Sequence, residues 1–202
     1  MTGRIFIVSV IALCYLVIRD WDSKPIEHPP GILVAEQPRQ LDLQPTVFML
    51  DDYQLTRRAS FEIRARVLSK EPYHLGRAAG LAPFDLALGW GVMSDSGVLD
   101  RIDISQSARW YRTKYDLPPP VPDQQIISNS SNMHMIPADK GIERSLKKLR
   151  KGDIVLLRGY LVDVDHDSGW HWRSSMSRTD TGDGACELVF VESLNVENPG
   201  PG

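Results

Sequence analysis

"DIVLLRGYLVDVD", residues 153–165, decides how the chain is read. Ile154 to Leu157 put apolar side chains on both faces, whereas Asp163 and Asp165 make one face polar towards the end. That pattern predicts a strand. Gly159 stands in its middle, where a bulge or sharp bend is expected. Just upstream, Ile142, Leu146 and Leu149 recur at helical spacing. Pro137 and Asp139 suit the start of that helix and Gly152 suits the position past its end. Lys147, Lys148, Arg150 and Lys151 crowd its last turn, where cations complement the macrodipole.

Working outward, "RRASFEIRARVLS" (57–69) alternates cleanly. Ala59, Phe61, Ile63, Ala65 and Val67 point one way, and Arg58, Ser60, Glu62, Arg64 and Arg66 the other. "WHWRSSMSR" (170–178), "ACELVFVESL" (185–194) and "ISQSARWYRTKY" (104–115) predict three further strands. "SGVLDRIDIS" (96–105) suggests a shorter helix, and "YHLGRAAGLAPFDLALGW" (73–90) fits more than one state.

A short helix feeding a strand with a central glycine, followed by a meander, resembles the small closed barrels of the oligonucleotide/oligosaccharide-binding (OB) type over residues 58–194. The resemblance implies a mainly β (α+β) fold, a small OB-like closed β-barrel with one well-marked helix; an N-terminal transmembrane helix is expected ahead of it. It implies no particular ligand, because that fold serves many functions.

The transmembrane expectation comes from "RIFIVSVIALCYLVIRDW" (4–21). The uncharged run Ile5–Ile18 reaches roughly 21 Å as a helix, short of a ~30 Å hydrocarbon core. Arg4 and Arg19 can snorkel and Trp21 suits the interface, which closes the gap. The "RDWDSKP" that follows has no small residues at cleavage-site spacing, so an uncleaved signal-anchor is expected over 1–21. Five prolines mark 22–45 as a polyproline-like tether, able to hold a domain about 60 Å away. Alternatively, Ile32, Leu33 and Val34 pack on the domain as an edge strand. A β-rich domain over 46–195 and a loose tail over 196–202 complete the layout. The expected location is a bacterial inner membrane, single-pass, with the C-terminal domain periplasmic.

The 202 residues carry a formal net charge of -3, which speaks against a whole-chain nucleic-acid binder. With only Cys14 and Cys186, no cysteine-based metal cluster is possible.

Candidate chemistry is sparse. Asp-(Ser/Thr)-Gly, which carries the catalytic aspartate of aspartic proteases, occurs at Asp95, Asp167 and Asp180. The copies at Asp167 and Asp180 fall between predicted strands in "DHDSG" and "TDTGDG", and turn chemistry explains them as hairpin loops. Asp163, Asp165 and Asp167 have the spacing of an EF-hand start, but the glycine and the closing glutamate are misplaced. With Asp183 from the neighbouring loop they form the alternative metal set. Met133, His134 and Met135 are soft ligands that alternate across a strand. Trp170 and Trp172 share a face, suiting a platform for a sugar or peptide.

The expectation is therefore a membrane-anchored, non-catalytic envelope protein without cofactor, whose β-rich domain binds a protein partner in an accessory or assembly role. Residues 1–21 would meet the bilayer, and Lys147, Lys148, Arg150 and Lys151 would meet lipid or partner. The alternatives are an envelope hydrolase using His134 or loop aspartates such as Asp180, and a metal or small-ligand carrier.

Overall fold

The computed structural model describes residues 24–180, 182 and 184–197. The protein is mainly β. The strands are β1 (Arg39–Leu50), β2 (Tyr53–Pro72), β3 (Phe84–Gly89), β4 (Asp103–Ser107), β5 (Trp110–Lys114), β6 (Ser130–Pro137), β7 (Ile154–His166), β8 (His171–Trp172) and β9 (Glu187–Val196). Four short α-helices, α1 (Arg77–Leu81), α2 (Ser96–Leu99), α3 (Asp123–Ser128) and α4 (Lys140–Lys148), and one 3-10 turn (Gly91–Ser94) intervene.

Seven strands form one sheet in the order β1-β2-β3-β6-β9-β7-β8, and β2 also pairs with β7. The five strands β2, β3, β6, β9 and β7 therefore run round to a closed ring. β6–β9 is parallel, and the other ring pairs are antiparallel. β2 can serve two neighbours because it is 20 residues long: Tyr53–Arg66 faces β7 and Arg66–Pro72 faces β3.

The alternation holds from Ala59 to Ala65 and then gives way to a fully buried run, in which Arg66 donates to Ser94 O and Ser96 Oγ and Leu68 joins a second apolar cluster. Ala59, Phe61, Ile63, Ala65 and Val67 are buried together with Leu86, Leu88, Met133, Met135, Leu157, Leu161, Val189 and Val191. Leu146 and Leu149 at the end of α4 join this core. Asp139 caps α4, accepting from the Gly141 and Ile142 amides at 2.6 and 2.9 Å. At the other end the Lys70 amine donates to Lys147 O and Leu149 O at 2.6 and 2.5 Å. The bend expected at Gly159 is a register shift against β9 between Arg158 and Gly159. A Cβ at Gly159 would collide with Phe190 O, so the strands come together only because none is there.

Several local expectations change. "ISQSARWYRTKY" is not one strand: β4 and β5 form a hairpin turning at Ala108 and Arg109, both at positive φ (50° and 69°). Residues 73–90 resolve into α1 and β3. "DHDSG" does turn β7 into β8, with Val164 opposite Trp172. "TDTGDG" does not turn a hairpin, because β8 lies against β7 and β9 lies on β7's other side. Only His171–Trp172 of the third predicted strand is extended. Beyond it, Ser174 N donates to Asp163 Oδ1 and Ser177 N to Ser175 Oγ, local bonds that compete with a ladder.

Residues 24–38 lie along the domain. Val34 is fully buried, its carbonyl accepting from Gly91 N at 2.7 Å, and Leu33 N and Val34 N both donate to Ser94 Oγ. β1 begins at Arg39, ahead of residue 46. The segment read as a membrane anchor, 1–21, lies outside the described residues. Among the described residues no helix is long and apolar enough to cross a membrane.

Candidate functional site

On β3 and β6 the apolar residues Leu86, Leu88, Met133 and Met135 fill the ring, so Asp85, Asn132 and His134 stand on its outer face. Asp85 lies directly opposite His134. Its carboxylate is fully buried and has three donors: His134 Nδ1 at 2.8 Å, Asn132 Nδ2 at 3.4 Å and Arg109 Nη1. Burying a carboxylate is tolerable only with such partners. The bond to Asp85 puts a proton on Nδ1, and the His134 ring lines the adjoining cavity.

Arg109 arrives from the β4–β5 turn. Its guanidinium lies 3.8 Å from the Tyr73 ring centre and 5.4 Å from that of Trp172, and it also donates to Ala82 O at 2.9 Å. Its backbone amide donates to Tyr73 Oη at 2.8 Å. The hairpin is thereby fastened over the ring's outer face.

Trp172 comes from β8. Its ring lies 4.7 Å from His134 and 6.0 Å from Trp170, edge-on to the latter. These residues wall a slot of about 510 Å³, with Trp110, Arg109 and Cys186 also on its surface. The shared face expected for Trp170 and Trp172 is thus part of a concave site, and His134 sits in its wall.

Cys186 is held by Asn132 Nδ2 at 3.5 Å. Burial pushes its thiol up to about 11, and the nearby Glu187, Asp85 and Asp180 add to this against the Asn132 bond. Such a thiol is not an activated nucleophile at neutral pH.

Glu187, the next residue, shares the inner face with Val189 and Val191 and is fully buried. Ser131 Oγ donates to it at 2.5 Å. Arg178 Nε approaches Glu187 Oε1 to 2.5 Å but off the hydrogen-bond line, so that contact is Coulombic. Burial raises this carboxyl to about 7, opposed by Arg178 and Ser131.

The other anticipated residues are dispersed. Asp180 accepts from Ser175 Oγ at 2.7 Å and borders a smaller cavity of about 240 Å³ beside the slot. Asp163 binds Arg58 and Asp165 binds Arg173, each at 2.5 Å, while Asp167 is in the β7–β8 turn. Asp183 lies outside the described residues. Among the described residues no three His, Cys, Asp or Glu side chains are grouped to hold a metal ion. Met133 and Met135 point into the ring, away from His134. Lys147, Lys148, Arg150 and Lys151 lie at the end of α4, part of no polar cluster around His134.

Sequence reasoning missed Asp85, Arg109, Asn132 and Tyr73. Asp85 lies in the stretch that fitted more than one state, and Arg109 was placed inside a strand rather than at a turn.

Compared with known proteins, the chain matches no family model, and no curated protein and no solved structure matches it either.

Proposed function

We propose that this is a membrane-tethered, non-catalytic binding module built on an OB-type barrel, which holds an extended segment of a protein partner in the slot beside His134. The barrel reading is supported by the ring order, by the parallel pairing of the third and fifth ring strands, and by α4 lying between the third and fourth. In such barrels ligands bind on the outer face of the second and third strands, between the loops that join strands one to two and four to five. Here those places are β3 and β6, residues 73–83 and residues 167–186.

The observation that carries the function is the aromatic wall. Trp170, Trp172 and Trp110 offer flat apolar surface, and the His134 ring lines the same slot beside Trp172. A nucleic acid is disfavoured because Arg109 and Arg173 at the slot are already paired with Asp85 and Asp165. In this proposal the domain stands on the periplasmic side of a bacterial inner membrane, anchored by residues 1–21, in an accessory or assembly role.

A photo-crosslinking amino acid at Trp110, introduced in cells, should give one discrete protein adduct that Trp172→Ala abolishes. Absence of any adduct would count against the reading. An inactive alkaline-phosphatase fusion after residue 202 would remove the periplasmic placement.

The hydrolase alternative has one observation in its favour: Asp85 orients His134 as a carboxylate orients a catalytic base. The thiol that borders the slot, Cys186, is raised by burial and does not supply an activated nucleophile. Ester or peptide hydrolysis lost in His134→Ala would favour it.

A further inference from the structure

The start of the described chain is fastened at one place. Ile26 N donates to Lys151 O at 2.8 Å and His28 Nε2 lies 2.7 Å from Gly152 O. Gly152 is at φ +95°, and a Cβ there would collide with the Ile26 backbone. The turn after α4 is thus shaped to receive this stem. Pro25, Ile26 and Glu27 lie against Arg66, Leu99 and Lys151.

That place is also the basic end of α4. Lys147, Lys148 and Lys151 are exposed, and among the described residues none of them is in an ion pair. The carbonyls at the end of the helix are served by Lys70, so these lysines are not needed to cap it. Of the nearby acids, Asp153 is buried and accepts from Arg150 N, Glu143 holds Lys140, and Asp100 lines the same hollow as Lys151 and faces Arg66. Glu27 on the stem offsets one charge.

Chain length joins the two observations. Ile18 ends the apolar run and Ile26 is already bonded to the domain, eight residues later. Eight residues span at most ~29 Å, and about 16 Å as a flexible coil. The basic cluster is therefore confined close to wherever the apolar run ends, at a high effective concentration.

We infer that this end of the domain docks on the bilayer surface, with Lys147, Lys148 and Lys151 against anionic phosphate headgroups. The inference rests on the anchor reading of residues 1–21. It replaces a domain held far out on a tether by one seated on the membrane by its α4 end, where clustered lysines favour anionic lipid.

The test uses the full chain reconstituted in vesicles of neutral phosphatidylcholine, or of phosphatidylcholine with about a third phosphatidylglycerol. Flotation on the neutral vesicles reports the anchor. Amide exchange at residues 147–152 reports the docking. Exchange there should slow at least three-fold on the anionic vesicles, and the protection should vanish in 1 M salt and in K147E/K148E/K151E. Flotation on both vesicles with identical exchange overturns the docking and leaves the anchor intact. A chain that floats on neither overturns both.

Discussion

His134 Nδ1 lies 2.8 Å from a fully buried Asp85 carboxylate that Arg109 and Asn132 also share. Removing that carboxylate takes the ion-pair partner from Arg109 and an acceptor from His134 and from Asn132. Asp85→Ala should cost about 3–5 kcal/mol, the usual result of deleting one partner of a buried charged pair. Urea titration measures it, and a loss under about 1 kcal/mol would show that the network is not what holds the β4–β5 hairpin down. A double-mutant cycle with His134→Gln should return a coupling of about 1 kcal/mol or more.

Glu187 gives the chain a pH dependence with a definite sign. Its ordinary value is 4.5, and burial raises it to about 7 in the fold. Between those values the folded chain holds a proton that the unfolded chain has lost. Stability is therefore full below about pH 4.5 and falls as pH rises towards about 7. The fall is on the order of 3 kcal/mol. Glu187→Gln, neutral throughout, should lack it. Superimposable stability–pH curves for the two chains between pH 5 and 7.5 would refute the assignment.

Cys186 should be slow to alkylate although it borders the slot. Its thiol stands about two units above the ordinary value of 9.0, which lowers the thiolate fraction roughly 100-fold. N-ethylmaleimide modification at pH 7.5, followed on the peptide carrying Cys186, should run about that much slower in the folded chain than in urea. Equal rates would revive a thiol nucleophile.

Two glycines should separate close approach from backbone conformation. Gly159→Ala drives a methyl into Phe190 O across the β7–β9 bulge and should cost about 3 kcal/mol or more. Gly169 is at φ +82° in an open turn with nothing near its missing Cβ. Gly169→Ala should cost only the left-handed penalty, about 1 kcal/mol. Thermal melts compare the two, and the reverse order would contradict the β7–β9 register.

The ring was legible wherever a strand has one wet face. Ala59 to Ala65 alternate because Arg58, Ser60, Glu62 and Arg64 stand on the outside, whereas Arg66 is buried under residues 94–96, and Gly159 announced its bulge by lacking a side chain. The site was not, because its parts come from elements whose local pattern is weak. Asp85 sits in a strand whose every residue is buried, so no alternation marks it. Arg109 reaches the slot only because the chain reverses at Ala108 and Arg109, two residues without a glycine to signal the turn. Trp170 and Trp172 were seen to share a face, but what they face is set by pairing with β7. "TDTGDG" has the composition of a hairpin turn, yet β9 inserts between β6 and β7 instead of lying beside β8.

Closing the ring also dictates an order of events as the chain is made. Residues 53–66 of β2 find their partner in residues 166–154 of β7, about a hundred positions later. Until β7 has emerged, β2 can pair with β1 and β3 but keeps one edge open, and contacts this distant form slowly. The nascent domain therefore stays an open sheet until β7 is available, and the ring closes only near the end of synthesis. A nascent chain halted before Ile154 should therefore expose an edge that the finished protein never presents.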